Sequence, residues 1–222
     1  MLGRRARLPV LAEIAGPSDG DRAWALRRAD FASLEGALPH LAGVRAVLVS
    51  GAGEVVPLAA IALAAAAAAS GRRTILLECD LSRPRLAAQI GLAAAPGLHE
   101  YLRWEAEPAD VLQPVVLAGP AAGGAGEPLV CVCGGRPASK AETLLGLQSF
   151  AHMIAKLRAA YDLVVMLGPP VADPGPCVAA AQQAEAVLAA LPVGETTGRG
   201  GRVTRAAIRQ LPIPALGTIA VS

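Results

Sequence analysis

Short runs of consecutive apolar residues alternate along this chain with longer segments of helical spacing. Residues 45–49 (Arg-Ala-Val-Leu-Val), 74–77, 128–133, 162–167, 186–191 and 215–221 are nearly unbroken apolar stretches. That is the pattern of strands covered on both faces. Between them, residues 21–41 place Trp24, Leu26 or Arg27, Phe31, Leu34 and Leu38 near helical spacing. Further helices are predicted over 58–70, 141–160, 178–184 and 203–211, with short helical pieces at 84–90, 99–103 and 108–112. Gly71 closes the second helix as a C-terminal cap. Residues 115–127, rich in glycine, alanine and proline, read as a loop, and so do 194–201. Residues 1–20 read as an N-terminal arm, with a short apolar stretch Leu8–Ile14 before the breaker Gly-Pro-Ser-Asp-Gly. Residues 21–222 then form one α/β domain of three layers, a mainly parallel sheet of about six or seven strands with helices on both faces.

Composition narrows the class. The formal charge is +2 with 17% charged residues, too close to neutral for a nucleic-acid footprint. Four cysteines without a secretory leader indicate a reducing, cytoplasmic setting in which thiols act as small core residues. The longest apolar run, Leu58–Ala69, is mostly alanine and far shorter than the roughly 20 residues that span a bilayer.

Residues 46–70 have the order strand, glycine loop, helix. That order suits a phosphate-binding loop, in which backbone N–H groups and a helix N-terminus face an anion. In the loop Ser50–Pro57, however, Val56 and Pro57 stand where G-x-x-x-x-G-K-[ST] would put its lysine and hydroxyl residue. Valine resists the positive φ that glycine allows, and proline offers neither hydroxyl nor N–H. Proline is nevertheless tolerated in the first turn of a helix, so the fold can survive the change.

Four segments carry a family resemblance. Ile75-Leu-Leu-Glu-Cys-Asp-Leu-Ser-Arg-Pro-Arg-Leu86 resembles the D-x-D-L-R-R-P motif of bacterial tyrosine kinases, which belong to a wider clan with the partition and division ATPases. Pro96-Gly-Leu-His-Glu-Tyr-Leu102, Asp110-Val-Leu-Gln-Pro114 and Tyr161-Asp-Leu-Val-Val-Met-Leu-Gly-Pro-Pro-Val171 resemble that family's G-L-x-x-x-L, D-V-x-Q-P and Y-D-x-V-I-I-D-T-P-P-V segments. Gly134–Leu145 resembles its A-G-x-x-P-x-N-P-x-E-L-L turn, and Leu8–Ile14 its L-P-V-L-G-x-I-P segment. The resemblance implies a domain working beside a membrane polysaccharide co-polymerase in capsule or exopolysaccharide export, with ATP driving phosphorylation of a C-terminal tyrosine cluster.

The departures from that pattern carry as much information. Gly51 and Gly53 remain, and Glu54 matches the loop glutamate. Val55 stands for a glycine, Val56 for the lysine and Pro57 for the serine. Leu167 stands for the magnesium-organising aspartate and Glu78 for the first aspartate of D-x-D, while Asp80 is kept. Tyr101 and Tyr161 are the only tyrosines, so no tyrosine cluster is present. Only two lysines occur, Lys140 and Lys156, on other segments, and Arg72 and Arg73 follow the far end of the helix.

The expectation is therefore a non-catalytic relative, with no bound nucleotide or metal, that docks to a co-polymerase adaptor or an active kinase paralogue at the inner membrane. A homo-oligomer is also possible under the resemblance, through Arg22, Arg27 and Arg28 in the region of the family's oligomer helix. The competing readings are a divergent Mg-ATP switch using Glu78 and Asp80, and a partitioning or polar-localisation pseudo-ATPase. Cys131 and Cys133 share a strand face and are expected to be structural, as are His40, His99 and His152.

Overall fold

Strands made wholly of apolar residues need cover on both faces. The computed structural model, which describes residues 8–15, 28–115 and 128–222, puts them there. In chain order the strands are β1 (Val10–Ile14), β2 (Ala46–Gly51), β3 (Thr74–Glu78), β4 (Gln113–Val115), β5 (Leu129–Val132), β6 (Leu163–Leu167), β7 (Ala186–Pro192) and β8 (Ala215–Val221). They form one eight-stranded sheet in the order β1-β8-β7-β2-β6-β3-β5-β4. Every pairing is parallel except β4 with β5.

The period-two alternation of a strand divides the core in two. Val47, Val49, Leu76, Val165 and Leu167 point to one face, with α1 (Arg28–Ala37), α2 (Val55–Ala69) and α3 (Leu86–Ile90). Leu48, Ile75, Leu77, Val164 and Met166 point to the other. There α4 (Leu98–Leu102), α5 (Pro108–Val111), α6 (Ala141–Leu145), α7 (Gln148–Ala160), α8 (Pro174–Ala181) and α9 (Arg199–Ile208) supply the cover. The three-layer α/β architecture is as expected.

Helix α2 is the centre of the first layer. Its alanines from Ala59 to Ala68 are buried on every side, and their small side chains let it lie close across β2, β3, β6, β7 and β8. It ends in a Schellman turn. Gly71 N–H donates to Ala68 O and Arg72 N–H to Ala67 O, with Gly71 at φ +84.

Several expectations need correction. The sheet has eight strands, because Leu8–Ile14 is not wholly an arm: Val10–Ile14 pairs with β8 as an edge strand. Thr218 N–H donates to Pro9 O and Ala15 N–H to Asp30 Oδ1, which ties the segment to sheet and helix together. Val115 belongs to β4 rather than to a loop, and residues 116–127 lie outside the described residues. The predicted helix 141–160 is two helices, α6 and α7, separated by Gly146 and Leu147, with Leu147 extended at ψ 147. The buried residues Leu145 and Phe150 are five apart, a step that one continuous helical face would not make. Helices α8 and α9 both begin four residues earlier than predicted.

Candidate functional site

The site lies where β2 runs into α2. Gly51 is a packing glycine, since a Cβ there would collide with the Ala190 carbonyl oxygen on β7. Gly53 takes φ +62, a conformation side chains disfavour, and turns the chain into the helix. The helix starts at Val55 and not at 58, so Val55, Val56 and Pro57 form its first turn. Pro57 fits because the N–H it lacks would have had no partner within the helix. Val56 is 2% exposed, with its side chain in the core.

The tails of β3 and β6 meet this turn. Gly53, Glu54, Val56 and Pro57 face Glu78, Asp80, Arg83, Arg85, Leu167, Gly168 and Pro170 across a cleft of about 70 Å³. The expected loop residues Gly53, Glu54, Val56 and Pro57 and the expected Glu78–Asp80–Leu167 side are thus brought together, while Gly51 and Val55 do not line the cleft. Arg22 and Arg27 lie outside the described residues, and of Arg28 only its place at the start of α1 is described.

Glu78 is fully buried and does structural work. Its Oε1 accepts N–H bonds from Arg85 (2.5 Å) and Leu86 (2.8 Å), and its Oε2 accepts one from Gly134 (2.7 Å). One carboxylate so holds the start of α3 and the end of β5 against the tip of β3. Burial pushes its pKa up, and the three N–H donors oppose that shift. Burial likewise raises Asp80, whose Oδ1 accepts from Arg83 N–H at 3.3 Å.

Arg83 and Arg85 are the site residues that sequence reasoning missed. Both lie in the segment matched to D-x-D-L-R-R-P, so a signal was present. Arg85 Nη1 donates to Glu54 Oε2 at 2.6 Å between two residues that line the cleft, and this pair holds the Glu54 carboxyl below its ordinary 4.5. The sign follows from linkage: a depressed carboxyl pKa favours the paired loop above 4.5 and loses that contribution as pH falls through the lowered value. The Gly53 amide resonance of the intact chain is expected to titrate with that acidic midpoint, and in Arg85→Ala the midpoint moves up toward 4.5.

The remaining candidates are quiet. All four cysteines are free and buried, and burial pushes the Cys133 thiol up to about 12. His99 Nδ1 lies 2.6 Å from Arg136 O, a structural contact. Among the described residues, no group of three or more His, Cys, Asp or Glu is gathered to hold a metal. No helix among them is long and apolar enough to cross a membrane.

No protein-family model and no curated protein matches the chain. Solved structures do. The kinase domain of the Escherichia coli tyrosine kinase Etk superposes with a TM-score of 0.77 at 17% identity, covering 97% of this chain and 90% of that one. The chimerical protein CapA2B2 gives 0.77 at 16% identity, covering 96% and 94%. The septum site-determining protein MinD from Pyrococcus horikoshii, solved with Mg-ADP, gives 0.58 at 17% identity over 78% of this chain and 68% of its own. The chain therefore has the P-loop fold of the bacterial tyrosine-kinase domains, with the division-type ATPases as more distant structural neighbours.

Proposed function

We propose that this protein is a non-catalytic member of the capsule and exopolysaccharide machinery. It acts by binding, as an assembly or regulatory subunit beside a membrane polysaccharide co-polymerase or an active tyrosine-kinase paralogue. The observation that carries this reading is the first turn of α2, where Val56 is buried in the core and Pro57 supplies no N–H. The small cleft supports it, being far below the roughly 300–1,000 Å³ of small-molecule pockets. So does Glu78, whose carboxylate is already engaged by three backbone N–H groups. These residues do not fit a magnesium triphosphate. What the fold offers is the outer surface of a kinase-type domain, recognised by shape and not gated by a γ-phosphate.

One observation favours a second reading, a divergent nucleotide switch: Arg83 and Arg85 bring guanidinium groups to the cleft. Co-purification from the producing bacterium tests the proposal. The expected result is recovery of a polysaccharide co-polymerase or kinase paralogue, unchanged when Arg83 and Arg85 are both replaced by alanine and ATP is omitted. Recovery of division or chromosome-partitioning proteins instead would assign the chain to the partitioning class. Capture that requires ATP and is lost in the double substitution would establish the switch.

A further inference from the structure

Helix α4 ends in the same kind of turn that closes α2, but with a residue the turn does not favour. Glu105 N–H donates to Glu100 O at 2.9 Å and Trp104 N–H to Tyr101 O at 3.0 Å, the two bonds of a Schellman turn. Trp104 therefore takes its left-handed position, at φ +63, where glycine is preferred because it has no Cβ to clash. It is the one non-glycine residue at positive φ among the described residues. Its indole is also 83% exposed, more than any other large apolar side chain described. Neither the backbone nor the core accounts for tryptophan here.

The turn is braced by charges that satisfy one another. Arg103 Nε and Arg136 Nη2 donate to the two oxygens of Glu105, both at 2.6 Å, and Arg136 Nε donates to Glu100 Oε1 at 2.8 Å. What remains beside the indole is acidic. Glu107 and Asp110 follow on α5, both exposed, and neither has an ion-pair partner among the described residues. An open indole face next to free carboxylates suits guanidinium groups, which stack on the ring and pair with the acids.

This chain carries such groups at its other end. Residues 1–7, Met-Leu-Gly-Arg-Arg-Ala-Arg, hold Arg4, Arg5 and Arg7, and no acid occurs before Glu13. They lie outside the described residues and lead into β1, at one edge of the sheet. Helix α4 begins at the opposite side, where Leu98 N–H donates to Cys133 O just past the end of β5. From β1 to β5 is six strand spacings, roughly 29 Å, whereas seven extended residues reach at most about 25 Å. The arm of one molecule thus falls short of its own Trp104.

We infer that the Trp104 turn is a docking site for the N-terminal arm, residues 1–7, of a second copy of this chain. The contact joins unlike ends of the molecule, so it can repeat from copy to copy. It stands independently of the proposed function.

The test is sedimentation of the full chain over a wide concentration range, at low and high salt. The expected result is self-association that weakens with salt and falls roughly 10-fold or more in Arg4→Glu/Arg5→Glu/Arg7→Glu. Trp104→Gly should lower it as much while melting no lower than the parent, since glycine suits the turn. A synthetic peptide of residues 1–9 should bind the arm-reversed chain, with amide shifts at residues 103–110, and should not bind once Trp104→Gly is added. A parent that stays monomeric, or association unchanged by either replacement, overturns the proposal. So does an arm that floats with phosphatidylglycerol vesicles but leaves the amides of 103–110 unmoved.

Discussion

Replacing Glu78 by alanine is expected to lower the melting temperature of this domain by roughly 6–15 °C. The residue would sit in the acidic half of a nucleotide site, yet its oxygens face the N–H groups of Arg85, Leu86 and Gly134 and no open water. Truncation leaves three buried donors without an acceptor, a loss of about 3–5 kcal/mol in total. Glu78→Gln should fall between, because one amide oxygen can still serve Arg85 and Leu86 while its NH₂ meets the Gly134 donor. The pH dependence has a definite sign. Burial raises the Glu78 carboxyl above its ordinary 4.5, so its stabilisation is fullest below that value and declines as pH rises through the raised one. The stability gap between parent and Glu78→Gln should therefore be wider near about pH 4 than near about pH 8, read from denaturant midpoints. A Glu78→Ala protein that melts within about 1 °C of the parent would remove the structural role assigned to this carboxylate.

The second large effect is a gain. Val55→Gly, Val56→Lys and Pro57→Ser together return a flexible glycine, a point charge and a hydroxyl to the turn. Charge-assisted hydrogen bonds contribute about 1.5–3 kcal/mol each, and two of them correspond to roughly 10²–10⁴-fold in affinity. Calorimetric titration of the triple variant with Mg-ATP should show saturable binding where the parent shows none. Leu167 remains in that variant, so phosphate binding should return without phosphoryl transfer. The cost to the fold is the loss of the Val56 side chain from the core, about 1–3 kcal/mol, and circular dichroism before titration checks that the helix survives. A triple variant as inert as the parent would mean that the rest of the cleft excludes the nucleotide whatever the turn carries.

The fold was legible in the sequence wherever one element carried its own signal. Strand β8 spans 215–221 as the apolar run predicts, and Gly71 sits at positive φ where the helix stops. Misreadings came where a residue's partner is remote. Val55-Val56-Pro57 looks like a loop because β-branched residues and proline disfavour helix interiors, but the first turn lacks the partners that proline would break. Strand β4 is three residues with a proline, tolerable only because it is an edge. The short apolar stretch before residue 15 looks like an arm until β8, some 200 residues later, offers it an edge.

The site was half legible. Loop and acidic tail were named from motif positions, and they do meet. The use to which Glu78 is put depends on Gly134, 56 residues away, and Arg85 reaches Glu54 across 31 residues. No local pattern announces either contact.

In the proposed reading, side chains of the α2 turn occupy the space and remove the donors a triphosphate would need, while the frame around them stands. Equilibrium titration of the unaltered full chain with Mg-ATP tests it most directly. The expected result is no saturable heat up to about 1 mM nucleotide. Binding in the micromolar range, abolished by Glu78→Gln with Asp80→Asn in a protein that remains folded, would contradict it.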